Sequence, residues 1–189
     1  FVKATEGAAY TNPYFAGDRR EALAAGMIIG TYDYAAPGGS PVAEARHFLS
    51  VTGTRFGEDT MPPVLDLELS GGLSPASLTA WTLTWLRTVQ RATGRIPLFY
   101  SYNYFITRRM TADPALARYP LWYASHISRV PQTGPGAWAT VGRPLWQYSR
   151  TAPVPGRRGQ VDRPQAWGNQ GRVLRFRPNG SADRTFGNK

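Results

Sequence analysis

Two carboxylates lie two residues apart in the segment Met61-Pro62-Pro63-Val64-Leu65-Asp66-Leu67-Glu68-Leu69, an apolar run followed by Ser70-Gly71-Gly72. Strand side chains alternate, so Asp66 and Glu68 point to the same side, with Cα atoms about 6.6–7 Å apart. Burial beside a like charge raises the pKa of at least one carboxyl and keeps it protonated near neutral pH. We expect that carboxyl to be Glu68. A protonated carboxyl next to an ionised one is what glycoside hydrolysis needs. Two other uses fit the same residues. The pair could be salt-bridged to some of the 20 arginines (22 basic residues less Lys3 and Lys189), or Asp-x-Glu could hold Mg²⁺ or Ca²⁺.

Other residues fit a sugar site. Tyr32-Asp33-Tyr34, Tyr100-Ser101-Tyr102, Trp122-Tyr123 and Trp146-Gln147-Tyr148 all fall at the ends of apolar runs. Aromatic rings stack on the apolar faces of sugars, and the polar neighbours can take hydroxyls; core and rim packing is the alternative use of such rings. Val161-Asp162 sets a further carboxylate after the last weak run, where a turn residue is the competing reading. Glu6, in Lys3-Ala4-Thr5-Glu6-Gly7, ends the first run, where a surface or capping role competes.

The elements that must position these residues are short apolar runs near 1–4, 27–34, 63–69, 96–101, 120–125, 144–149 and 160–162. Most lack polar alternation, as strands buried on both faces do. Helical patterns lie between the early runs, at 18–25, 41–50 and 75–93. Ser40-Pro41 and Ser74-Pro75 read as N-cap and first helical residue, and Gly26 and Gly94 as C-terminal stops. Leu78, Trp81, Trp85 and Val89 form one apolar face of the third helix. Strands alternating with helices imply a mainly parallel sheet. Helices thin out after Met110, so the later strands are expected to follow one another through loops. Residues 165–189 are polar and Arg-rich, a basic tail in which Val173, Leu174 and Phe176 could dock a short piece.

The 189 residues suit one domain. No apolar stretch is long enough to span a bilayer. Cysteine is absent and there are two histidines, which argues against thiolate chemistry and a multi-histidine zinc site. The net charge of +10 favours anionic partners. The chain opens at Phe1 inside a strand-like segment, with no charged and apolar leader, as expected of a sequence that starts partway into a larger protein.

Seven motifs in order resemble family 25 of the glycoside hydrolases, the Chalaropsis-type lysozymes. They are Phe1-Val2-Lys3-Ala4-Thr5-Glu6-Gly7, Ala25-Gly26-Met27-Ile28-Ile29-Gly30-Thr31-Tyr32, Pro63-Val64-Leu65-Asp66-Leu67-Glu68, Phe99-Tyr100-Ser101, Pro120-Leu121-Trp122-Tyr123-Ala124, Leu145-Trp146-Gln147-Tyr148-Ser149 and Gln160-Val161-Asp162. The resemblance implies a TIM-like (β/α) barrel over residues 1–164, with helices missing between the last strands, and an N-acetylmuramidase that cleaves peptidoglycan glycan strands. By resemblance, Glu68 is the general acid and Asp66 the partner carboxylate. The resemblance also implies that Asp162 and Glu6 line the groove; Asp33, Tyr32, Tyr100, Trp122 and Gln147 are expected as further sugar contacts from their strand-end positions. No cofactor or metal is implied, and a secreted monomer is expected. The family usually has His where this chain has Asp33, so an extra carboxylate is expected to alter the site there. The family also opens with a strand carrying an Asp-x-Ser-like motif some 25 to 30 residues upstream of Lys3-Ala4-Thr5-Glu6-Gly7. Its absence here predicts an open slot between residues 1–4 and the strand near Asp162, and loss of activity and stability. A wall-binding protein that keeps the groove without the chemistry is therefore a rival. A nucleic-acid binder is suggested only by the arginines, and no helix-turn-helix, zinc or RNP-type pattern accompanies them.

Overall fold

The computed structural model describes residues 1–57, 60–127, 129–141, 145–152, 161–165, 175–176 and 182–183, with side chains up to Ser149. Eight strands form one sheet: β1 (Val2–Glu6), β2 (Tyr10–Thr11), β3 (Thr31–Tyr34), β4 (Val64–Asp66), β5 (Leu98–Tyr102), β6 (Leu121–Ala124), β7 (Leu145–Ala152) and β8 (Val161–Gln165). Their order is β2-β1-β3-β4-β5-β6-β7-β8. From β1 through β3 to β7 every neighbour is parallel; β2 and β8 pair antiparallel at the two edges. A separate two-stranded ribbon joins β9 (Arg175–Phe176) to β10 (Ala182–Asp183). Of the three tail residues expected to dock, Val173 and Leu174 lie outside the described residues.

The helices are α1 (Phe15–Ala24), α2 (Pro41–Thr52), α3 (Pro75–Thr93) and α4 (Asn103–Arg109). Caps explain the boundaries of α2 and α3. Ser40 Oγ accepts from Ala43 N, Ser74 Oγ accepts from Ser77 N, and Pro occupies the first helical position in each. Gly94 ends α3 with φ +66°, which its missing Cβ permits. The long loops after α4 carry two 3₁₀ turns, Pro114–Arg118 and Gly136–Trp138, where full helices would stand in a complete (β/α) repeat.

Two apolar layers sandwich the sheet. Leu65, Leu67, Phe99 and Leu121 face outward onto Phe48, Trp81, Trp85 and Leu86 of α2 and α3. Val64, Leu98, Trp122 and Leu145 face inward with Tyr32 and Tyr100. Burial on both faces is why these strands read as unbroken apolar runs.

The sheet is curled. Four strand spacings of about 4.8 Å would separate β1 from β6 by about 19 Å in a flat sheet. Yet the ring of Phe1, just before β1, lies 4.2 Å from the ring of Trp122 on β6, centroid to centroid. The sequence predicted an open slot between residues 1–4 and the strand near Asp162, and among the described strands none joins β1 or β2 to β8. What the sequence did not show is a short hairpin on that side: β2 pairs with Thr5 and Glu6, and Asn12 donates from its backbone N to Ala4 O (2.9 Å) and from Nδ2 to Lys3 O (2.8 Å). The hairpin covers the C-terminal part of the β1 edge. Among the described strands, β2 and β8 remain the unjoined ends of the sheet.

Candidate active site

Parallel register builds the site row by row. Glu6 pairs with Tyr34, Tyr34 with Asp66, Asp66 with Tyr100 and Tyr100 with Trp122. Residues level with each other in a parallel sheet point to one side, so this row crosses the inner face near the C-terminal ends of the strands. That is where barrel folds hold their sites.

Glu68 extends the row beyond β4. Leu67, between the two carboxylates, donates from N to Tyr100 O (3.0 Å), and its carbonyl accepts from Ser101 Oγ (2.7 Å). On the other side, Ala35 N donates to Asp66 O (2.8 Å). These bonds keep the chain extended past the end of the strand and hold Leu67 outward in the core. Asp66 and Glu68, both half-buried, are left on the inner side. The loop that follows is fixed by a backbone contact. Gly71 has φ +57°, and a Cβ there would stand 1.2 Å from Pro37 O. Trp81 Nε1 donates to Gly39 O (3.0 Å) and anchors the facing loop to α3.

Tyr34 marks the convergence. Partial burial raises its phenol pKa, and the negative charges of Glu68, Asp66 and Glu6 raise it further, in that order. The phenol therefore stays protonated, a hydrogen-bond donor among three carboxylates. Glu6 forms an ion pair with Lys3, whose Nζ also lies 5.4 Å from the centroid of the Tyr10 ring and 5.0 Å from that of Tyr34. Glu6 thus reaches the row with a cation beside it.

Side-chain contacts carry the row on towards β7. Tyr100 Oη donates to Gln147 Oε1 (2.6 Å), and Gln147 is 1% exposed. Trp122, 7% exposed, packs edge-on to Tyr100 at 5.0 Å and against Phe1. Tyr32 packs in the same inner layer. Of the residues expected at the site, Glu6, Asp66, Tyr100 and Trp122 stand on one row, with Glu68 two residues beyond Asp66. Gln147, level with Ala124 and Tyr102, holds Tyr100 from the C-terminal side, and Tyr32, level with Val64, lies one layer below. Asp162 lies on β8, between positions paired with β7, and its side chain is outside those described.

Asp33 is the correction. Alternation along β3 sends it to the outer face, away from the groove, where it is 0% exposed. Its carboxyl accepts from Thr5 Oγ1 (2.7 Å) and Trp85 Nε1 (3.1 Å). Burial, and then the nearby Glu44 carboxylate, push its pKa up to about 9. Glu44, on α2 and 2% exposed, is also raised by burial, while Ala36 N donates to its Oε1 (3.0 Å). This acid pair holds a proton inside the helical layer. The expectation that Asp33 alters sugar contacts does not survive.

Lys3 is the residue that sequence reasoning passed over, and Tyr34, grouped there with the strand-end aromatics, was not singled out as the neighbour of the carboxylates. Period-two alternation could have placed it, since it shares a face with Tyr32 and not with Asp33. Among the described residues, no three His, Asp or Glu side chains group as metal ligands, and no helix is long and apolar enough to cross a membrane.

The site geometry agrees with relationships to known proteins. The chain is 33% identical over 160 residues to an N,O-diacetylmuramidase of Chalaropsis, covering 78% of this chain and 75% of that one. It is 33% identical over 162 residues to the uncharacterized protein YegX of Escherichia coli, covering 86% of this chain; the chain spans only 56% of that relative's length. The bacterial lysozyme of Streptomyces coelicolor superposes with a TM-score of 0.80 at 30% identity, over 88% of this chain and 80% of that one. The family described as Glycosyl hydrolases family 25 matches residues 1–157. With its mainly parallel, TIM-like sheet and its Asp-x-Glu pair at the end of β4, the chain belongs to glycosyl hydrolase family 25.

Proposed function

We propose that this chain carries the catalytic groove of a muramidase, which hydrolyses the β-1,4 bond between N-acetylmuramic acid and N-acetylglucosamine in peptidoglycan. The observation that carries the reading is the shared inward direction of Asp66 and Glu68, set by the two hydrogen bonds that hold Leu67 outward. Glu68, at the open end of the row, protonates the leaving oxygen. Asp66, one step deeper, stabilises the oxocarbenium-like centre or orients the substrate's own acetamido group; both are routes open to retaining enzymes. Tyr34 donates a hydrogen bond into the groove, and Lys3 sets a cation beside Glu6 so that the local field is not wholly negative. Asp162 is placed by this reading on the same groove. The function of the Chalaropsis relative as an N,O-diacetylmuramidase supports the substrate class. Such a substrate sets the place of action outside the cell membrane, and a single copy suffices because one chain supplies the row.

The test is Glu68→Gln, assayed on soluble glycan fragments and on walls. The expected result is a loss of about 10²–10⁴-fold in kcat with glycan affinity and melting temperature retained. Parental turnover in this variant would remove Glu68 from the role of acid.

A further inference from the structure

The basic charge of this chain is gathered on one part of it. From residue 69 to 161 there are 11 arginines and one acid, Asp113, a net of +10 that equals the charge of the whole chain. Residues 1–68 carry five basic and nine acidic side chains, a net of −4, and residues 162–189 carry six and two, a net of +4. Even the one acid in the middle section is engaged, since Asp113 Oδ1 caps the turn at 114–118 by accepting from Ala115 N (2.8 Å).

Three of these arginines converge. Arg87 and Arg91 are four apart on α3, one turn from each other on one face. Tyr119 Oη donates to Gln90 Oε1 (3.1 Å), which ties the end of the 114–118 turn to α3 and brings Arg118 to the same place. All three arginines are exposed, and among the described residues none forms an ion pair. Like charges at i,i+4 work against a helix, so the cluster is a local cost without a carboxylate to offset it. The Tyr119 phenol reports the crowding: burial raises its pKa, while Arg87, Arg118 and Arg91 each pull it down.

We propose that this flank, centred on Arg87, Arg91 and Arg118, is a docking surface for an anionic phosphodiester polymer of the cell wall. Guanidinium forks match phosphate oxygens in pairs, and three within reach of one phenol suit a chain of repeated phosphates better than a single anion. The surface lies away from the groove. Arg87 and Arg91 are 12 and 16 residues into α3, about 18–24 Å along its axis from the end that adjoins the loop after Glu68. A polymer held there leaves the groove open to glycan. The choice of a wall polymer over a nucleic acid rests on the muramidase reading of that groove.

The experiment compares the parent protein with Arg87→Gln/Arg91→Gln/Arg118→Gln and with a control of equal charge loss on other helical and loop surfaces, Arg20→Gln/Arg46→Gln/Arg55→Gln. Binding to poly(glycerol phosphate) and to duplex DNA is measured at several salt concentrations, and turnover on a soluble glycan without phosphate. The first variant is expected to lose about tenfold or more in polymer affinity and about 2 in the slope of log K against log salt. The control should keep both, and all three proteins should turn over soluble glycan equally. If the first variant does not fold, Arg118→Gln alone should reduce the slope by about 0.7. Equal loss in both triple variants, or no polymer binding by the parent, overturns the proposal. So does tighter binding of DNA than polymer per phosphate. Failure of the parent on soluble glycan would instead count against the muramidase reading, and the binding arm would still decide the surface.

Discussion

Lys3 and Glu6 pair on the inner face of β1 although they are three residues apart, an odd spacing that normally sends strand residues to opposite faces. The register of β1 against β3 explains it. Lys3 lies opposite Tyr32 and Thr5 opposite Asp33, so β1 spends one extra residue between them. This irregularity places Thr5 outward on Asp33 and returns Glu6 inward beside its cation.

Lys3→Met should therefore leave the Glu6 charge uncompensated next to Tyr34, Asp66 and Glu68. Added negative charge raises carboxylate pKa values, so the acid limb of the kcat/KM profile should move to higher pH. The side chains are partly exposed, which limits the shift to less than about 1 unit at low salt and makes it smaller at physiological salt. Superposable profiles at both ionic strengths would show that the ion pair does not reach the site.

The Asp33–Glu44 pair sets an alkaline limit on stability. The folded state keeps on Asp33, up to about pH 9, a proton that this group ordinarily loses near pH 3.8. Across that window the unfolded chain binds fewer protons at this position, so stability falls as pH rises from about 4 to about 9. Asp33→Asn can still accept from Trp85 and donate to Thr5 Oγ1. It should flatten the melting temperature against pH, with its largest gain over the parent near pH 8–9. Parallel curves for variant and parent would place the proton elsewhere.

Tyr100→Phe removes the hydroxyl that Gln147 Oε1 accepts from. With Gln147 1% exposed, an unsatisfied amide costs about 1–3 kcal/mol. At about 2–4 °C per kcal/mol for a chain of this size, a fall in melting temperature of several degrees is expected, together with weaker glycan binding. An unchanged melting temperature would mean that Gln147 finds another donor.

Much of this was legible in the residue pattern because both faces of the sheet are buried: the unbroken apolar runs gave strands β3 to β7, and Ser-Pro gave the starts of α2 and α3. Other parts left weak signals. β2 is two residues long, and α4 follows directly on β5 from Tyr102, which makes no side-chain cap, so no local signal marks where it starts. Asp33 misled because a carboxylate among tyrosines at a strand end resembles a sugar contact. Only the face that it occupies separates that role from a buried acid. Lys3 became visible as a groove residue only with the irregularity in β1, which depends on the pairing with β3 and leaves no mark in local composition.

Gly71→Ala tests the loop beyond Glu68. The substitution must both adopt a left-handed conformation and displace the Pro37 carbonyl, since a Cβ would stand 1.2 Å from it. A loss of more than about 2 kcal/mol is expected, with a fall in kcat at temperatures where the variant is still folded. A variant that melts and turns over as the parent does would show that the two loops part freely.

That backbone contact has a consequence for redesign. The loops after β3 and β4 meet main chain to main chain at Pro37 and Gly71, with no side chain between them to absorb a change of length. They behave as one module, and transplanting either alone from a relative would import a surface shaped for a partner left behind. The segment after β6, whose Ile127 is exposed, has no such counterpart among the described residues, and it is the natural place to graft new specificity one loop at a time.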